Sequence, residues 1–142
     1  MTTDLKVKEQ ILSLLMNDSR LSFRTIAKRL NISTTTVSRI VKQLEDSGVI
    51  QGYTTLINWS KVGYDSALCL QVSVTSEADI DSVGSAIRDI TAVKQVFYTT
   101  GDATFSAYAV CKDTAEAAEV LAKLRRLDGI FRVVPHTVLK MY

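Results

Sequence analysis

FRTIAKRLNISTTTVSRIVKQL, residues 23 to 44, consists of two helical patterns joined by a break, and the spacing of its apolar residues decides how the N-terminal part folds. Ile26 and Leu30, with Ala27 between them, give the first helix an apolar face. Asn31-Ile32-Ser33 interrupts the period, and Val37, Ile40, Val41 and Leu44 resume it. The small side chain of Ala27 lets the second helix cross close to the first, and Asn31 tolerates the left-handed conformation that the tight turn requires. Ser33 caps the second helix by accepting a bond from an N–H of its first turn, so helical periodicity restarts there. The pattern is a helix-turn-helix.

With the four apolar residues turned inward, the outward face of the second helix consists of Thr34, Thr35, Ser38, Arg39 and Lys42, with Thr36 at its boundary. Together with Ser33, these residues suit double-stranded DNA. Short hydroxyls reach phosphates or base edges, Arg39 can make a two-pronged contact with guanine, and Lys42 can neutralise a phosphate. Any one of them alone would be an ordinary solvated residue. Their combination with the turn fits the geometry of a major-groove reader. Charge is distributed accordingly: residues 1–63 hold nine Lys/Arg against five Asp/Glu, and residues 64–142 hold eight against ten. The positive balance lies where phosphate attraction would use it.

Leu5, Ile11, Leu12, Leu14 and Leu15 predict an amphipathic helix from about Asp4 to Met16, which completes a three-helix unit. Ser47-Gly48 stops the second motif helix. The following VIQGYTTLINW alternates imperfectly and predicts one or two short strands, the wing of a winged helix-turn-helix, and Asn58 to Gly63 reads as a connector. The expected domains are 1–53 for the helix-turn-helix, 54–63 for a connecting strand and linker, and 64–142 for the remainder.

That remainder predicts a strand over Ala67 to Val74, a helix over Ile80 to Ile90, strands over Val93 to Thr99 and Thr104 to Cys111, a helix over Ala115 to Leu127 and a strand over Ile130 to Leu139. Glu77-Ala78-Asp79 and Asp113-Thr114 favour helix starts, and Gly101-Asp102 turns one central strand into the next. The order βαββαβ is that of a ferredoxin-like α+β domain, with helices on one face of the sheet and the other face uncovered. Val93, Val96, Phe97, Tyr98, Phe105, Tyr108 and Val110 flank the turn and exceed what one side would bury. A dimer covering the open face is therefore expected.

The chain has 142 residues, 46% of them hydrophobic, enough for one average domain or two small ones. No run approaches the ~20 apolar residues needed to span a bilayer, and MTTDLKVKEQ lacks the apolar segment of a secretory signal, so a cytoplasmic protein is expected. Cys69 and Cys111 lie in apolar runs and read as buried free thiols. His136 is the only histidine, and no metal-ligand spacing or paired acid/base set is present. Neither metal, cofactor nor catalysis is expected.

The helix-turn-helix, GVI-x-GY at Gly48 to Tyr53, the Asn58 to Gly63 connector, the βαββαβ order and the TTGD turn at Thr99 to Asp102 together resemble the Lrp/AsnC family, the leucine-responsive or feast/famine transcription regulators. The resemblance covers nearly the whole chain. It implies a sequence-specific DNA-binding transcriptional regulator, a homodimer built on the C-terminal sheets, further assembly into tetramers or octamers, and promoter binding by paired recognition helices. It also implies an effector, an amino acid or other small metabolite, held between dimers partly by Thr99, Thr100, Gly101 and Asp102. Turn amides can receive a carboxylate there, and Asp102 can accept bonds from an ammonium. The turn departs from the family's common Gly-Asp-Tyr-Asp by reading Gly101-Asp102-Ala103-Thr104, and Pro135 stands where a Thr is common. The first change removes an aromatic wall and a second carboxylate; the second removes a hydroxyl and an N–H. An architectural DNA-wrapping protein without effector is the alternative. Some haem-pathway decarboxylases also resemble this family, but the basic groups a tetrapyrrole pocket would need are scattered.

Overall fold

The computed structural model describes residues 2–140, and the chain divides into two compact units, the first ending at Leu56 and the second beginning at Ile57. In the first, α1 (Thr2–Asn17), α2 (Phe23–Leu30) and α3 (Thr34–Asp46) enclose Ile11, Leu15, Ile26, Ala27, Val37, Ile40, Val41 and Leu44. Ile11, Ile26 and Val37 are fully buried, and each such side chain contributes roughly 1.5–3 kcal/mol of burial free energy. With only eight buried residues in the cluster, loss of one removes a substantial part of the core.

The exit from α3 is tied back onto the helix. The Ser47 N–H donates to the Gln43 carbonyl at 3.0 Å, the Ile50 N–H donates to the Leu44 carbonyl at 3.0 Å, and the Tyr53 hydroxyl donates to Glu45 Oε1 at 2.8 Å. Partial desolvation, reinforced by the bond to Glu45 and its charge, holds the Tyr53 phenol above its ordinary pKa. The strands expected from VIQGYTTLINW are not formed: residues 51–58 have no ladder, and all are exposed. Their alternation was imperfect, and an extended segment without a neighbouring strand leaves its backbone groups to water.

The second unit begins with a 3-10 turn at Trp59–Val62, inside the predicted connector. Trp59 meets Tyr64 edge-on with ring centroids 5.4 Å apart, and Lys94 Nζ lies 5.2 Å from the Trp59 centroid. Then follow β1 (Ser66–Val74), α4 (Ile80–Arg88), β2 (Val93–Tyr98), β3 (Phe105–Cys111), α5 (Thr114–Arg125) and β4 (Ile130–Thr137). The sheet order is β2-β3-β1-β4, with every neighbouring pair antiparallel. This is the βαββαβ ferredoxin-like arrangement. β2 is an edge strand, so Gly101-Asp102 joins an edge strand to a central one rather than two central strands. Pro135 lies on the other edge strand, where a missing N–H costs least.

Leu68, Leu70, Val72, Phe105, Ala107, Ala109, Cys111 and Val133 form one core with Val83 and Ile87 of α4 and Ala117, Val120 and Leu124 of α5. α5 starts at a reciprocal cap: the Glu116 N–H donates to Asp113 Oδ1 at 2.8 Å, and the Lys112 N–H donates to Glu116 Oε2 at 2.6 Å. Burial, with Glu116 and Asp113 nearby, pushes the Cys111 thiol up from its ordinary pKa.

Register sorts the apolar residues expected on the open face. Val93 pairs with Ala109, Val96 with Ala107 and Tyr98 with Phe105, which places them on the helix-covered side; Phe97, Tyr108 and Val110 belong to the other. The open face is therefore less apolar than the sequence suggested, because the strands alternate between two sides. Cys69 corrects a second expectation. It is exposed on that face, between Tyr108 and His136 in register, whereas Cys111 is buried. No helix among the described residues is long and apolar enough to cross a membrane.

Gly48 and Gly129 have similar left-handed φ values, +72° and +80°, but a Cβ at Gly48 would meet nothing within 4 Å, whereas one at Gly129 would lie 2.7 Å from Ala78 Cβ. Gly48→Ala should cost about 1–2 kcal/mol from the backbone alone. Gly129→Ala should cost more, since α5's exit or the Ala78 loop must also shift. Chemical denaturation of the two variants, followed by signals from each unit, checks the order.

Candidate nucleic-acid interface and ligand groove

Both motif helices begin with the same device. Ser22 Oγ accepts from the Thr25 N–H at 3.1 Å, Ser33 Oγ accepts from the Thr36 N–H at 3.0 Å, and in each case the two hydroxyls also bond to each other, at 2.8 and 2.7 Å. Between them Asn31 ends α2 at φ 54°, ψ 46°, the only non-glycine residue with positive φ among those described, and its N–H donates to the Ala27 carbonyl. The Ile32 N–H donates to the same carbonyl at 3.0 Å. A left-handed residue followed at once by a capping serine makes the reversal short.

Thr34, Thr35, Ser38, Arg39 and Lys42 are exposed and Thr36 is half-buried, while Val37, Ile40, Val41 and Leu44 are buried. Ser33 and Thr36 spend hydroxyl contacts on the cap, so they shape the interface as much as they present donors to it. The sequence reading omitted Gln43. Arg39 Nη1 donates to Gln43 Oε1 at 3.3 Å, four residues along the exposed side of α3. Arginine and glutamine are side chains that address guanine and adenine edges through two bonds each. The spacing of four from Arg39 was the available signal.

The β2–β3 turn is stitched to β1. The Thr104 N–H donates to the Val72 carbonyl at 2.9 Å, the Val74 N–H donates to Thr104 Oγ1 at 3.3 Å, and Ser73 Oγ donates to the Asp102 carbonyl at 3.4 Å. Thr99 Oγ1 donates to the Ala103 carbonyl at 3.1 Å, within the turn. These bonds bring Asp102 and Ala103 to the open sheet face, where with Gln71, Ser73, Arg132, Val134 and His136 they line a hollow of about 440 Å³, a volume sufficient for a small molecule. Of the four turn residues singled out in the sequence, Asp102 lines the hollow; Thr99, Thr100 and Gly101 do not.

Gln71, Ser73, Arg132, Val134 and His136 were not anticipated as a group. Their signal is period-two polarity on β1 and β4, and the register Ser73↔Arg132, Gln71↔Val134 and Cys69↔His136 assembles it. A second hollow, about 380 Å³, lies before α4 and is lined by Glu77, Asp79 and Asp128 among others. No group of three His, Cys, Asp or Glu side chains among the described residues is placed to hold a metal ion.

Residues 5–51 match the family model described as winged helix-turn-helix DNA-binding, and residues 68–142 match the Lrp/AsnC ligand binding domain. The chain is similar to the HTH-type transcriptional regulator LrpA of Pyrococcus horikoshii, 33% identical over 92% of each chain. It is also similar to the regulatory protein AsnC of Haemophilus influenzae, 28% identical over 86% of this chain and 82% of that one. Among solved structures, a transcriptional regulator from Neisseria meningitidis in complex with L-methionine superposes with a TM-score of 0.83 at 26% identity, covering 95% of this chain and 89% of that one.

Ser33→Ala removes the cap that starts α3 and should lower unfolding free energy by about 1 kcal/mol, with Ser33→Asp recovering most of it. Urea unfolding monitored by helical circular dichroism measures both.

Proposed function

The chain belongs to the Lrp/AsnC family of DNA-binding transcriptional regulators, and on that premise we propose that it recognises a specific operator through α3 in the cytoplasm. The observation that carries the assignment is the exposed set Thr34, Thr35, Ser38, Arg39 and Lys42 on a helix whose buried side is fully apolar. Ser33 and Thr36 set the first turn, Arg39 and Gln43 read base edges, and Lys42 neutralises a phosphate.

The working form is a homodimer built on the uncovered face of the C-terminal sheet, assembled further into tetramers or octamers. Two copies of α3 then address half-sites separated by one helical turn of DNA or a multiple of it, ~34 Å. Phe97 is 53% exposed on that face, which supports its use in association. The β2–β3 turn, Thr99 to Asp102, takes part in holding an amino acid or other small metabolite. Its Asp102 already lines a hollow of suitable size, and the Neisseria relative was solved with L-methionine.

Arg39→Ala should weaken operator binding by about 1–3 kcal/mol and relax base preference at one position, whereas Lys42→Ala should weaken all sequences equally and reduce the slope of log affinity against log salt by about 1. Titrations of operator and unrelated DNA over a salt series measure both. Equal affinity of the native protein for the two DNAs at fixed salt would instead support architectural binding.

A further inference from the structure

We propose that each operator half-site carries a guanine and an adenine in neighbouring base pairs, and that Gln43 both selects the adenine and couples it to the guanine read by Arg39. The inference rests on the operator reading above and deepens it. Arg39 and Gln43 are exposed and lie four residues apart on α3, a spacing that sets them side by side on successive turns. Arg39 Nη1 donates to Gln43 Oε1 at 3.3 Å.

That bond decides which base pairs the two side chains can address. Attachment points four residues apart are separated by ~6 Å along a helix axis, nearly two base-pair steps of about 3.4 Å. The bond draws the two tips together to 3.3 Å, one step, so they meet neighbouring pairs. Enough donors and acceptors remain for both bases. A guanidinium spends one of its N–H groups on the glutamine, and two others can reach O6 and N7 of a single guanine. Gln43 Oε1 keeps a second lone pair for the adenine amino group, while its amide donates to adenine N7. Neither base contact breaks the bond between the side chains. Orienting the guanidinium in advance also lowers the ordering cost of binding.

The surroundings leave Arg39 to Gln43 and make Gln43 the last side chain of α3 suited to the groove. Lys42 precedes it, and the exposed Glu45 and Asp46 follow, with charges that repel phosphates. Glu45 accepts from the Tyr53 hydroxyl at 2.8 Å. Among the described residues the ion pairs are Lys8–Asp4 and Arg88–Asp89, so neither acid captures Arg39. Gln43 is outside the buried cluster of the unit, and replacing it leaves that packing in place.

Selection of duplexes from a randomised pool by the full chain, followed by titration of the selected site, tests the proposal. The expected half-site holds adjacent guanine and adenine. Replacing that adenine by an analogue with carbon in place of N7 should weaken native binding roughly tenfold and leave Gln43→Ala binding nearly unchanged. Gln43→Glu keeps the acceptor for Arg39 and loses the donor to N7. Compared as ratios between duplexes, it should lose sensitivity to the adenine analogue and keep the guanine preference, whereas Gln43→Ala weakens both. Unfolding midpoints of the variants should match the native value. Selected sites with a guanine but no preferred neighbour, or equal sensitivity to the analogue in native and Gln43→Ala proteins, overturn the role of Gln43 and leave the operator reading intact. Equal affinity of the native protein for selected and unrelated duplexes overturns both.

Discussion

Asn31 holds a left-handed backbone at φ 54°, ψ 46°, and the geometry of the DNA-binding unit follows from it. An L-residue there costs free energy that a short polar side chain lessens, and in return the chain reverses within two residues and delivers Ser33 as the cap of α3. The reversal brings Ile26 and Ala27 against Val37, Ile40 and Val41. Once those are buried, the rotation of α3 about its axis is no longer free, and Thr34, Thr35, Ser38, Arg39 and Lys42 must face outward. The outward face of α3 is thus the complement of the face that makes the core.

In the C-terminal unit the equivalent constraint is the two-residue repeat of β1. Leu68, Leu70 and Val72 point at the helices, so Cys69, Gln71 and Ser73 must point away. Both neighbouring strands are locked to this alternation, β3 bringing Tyr108 opposite Cys69 and β4 bringing Arg132 opposite Ser73. The turn at Asp102 then closes the end of the polar side by bonding to Ser73 and Val74. Ser73 is the one buried polar residue among those described, and its bond to the Asp102 carbonyl accounts for its tolerance there.

The two candidate sites use different physics. α3 presents flexible, solvated side chains, and a face of that kind set against a repeating polyanion binds with an affinity that depends on charge and salt. The sheet hollow has pleated walls that keep its groups at fixed spacing.

Much of this was legible in the order of residues. The three helices, the left-handed Asn31, the Ser33 cap and the outward set on α3 follow from patterns within a dozen residues, and so does the βαββαβ order, because helical period, strand alternation and capping are local effects. The sequence by itself therefore determined the element types outside residues 51–58 and the outward-facing residues of α3 other than Gln43. Only the tertiary structure decided that residues 51–58 stay unpaired, that β2 is an edge, that Cys69 is exposed, and that Asp102 shares a hollow with Arg132 and His136. The reason is separation along the chain. Ser73 and Asp102 are 29 residues apart, and period-two alternation states that a strand has two faces without stating which neighbour or which cover each face will find.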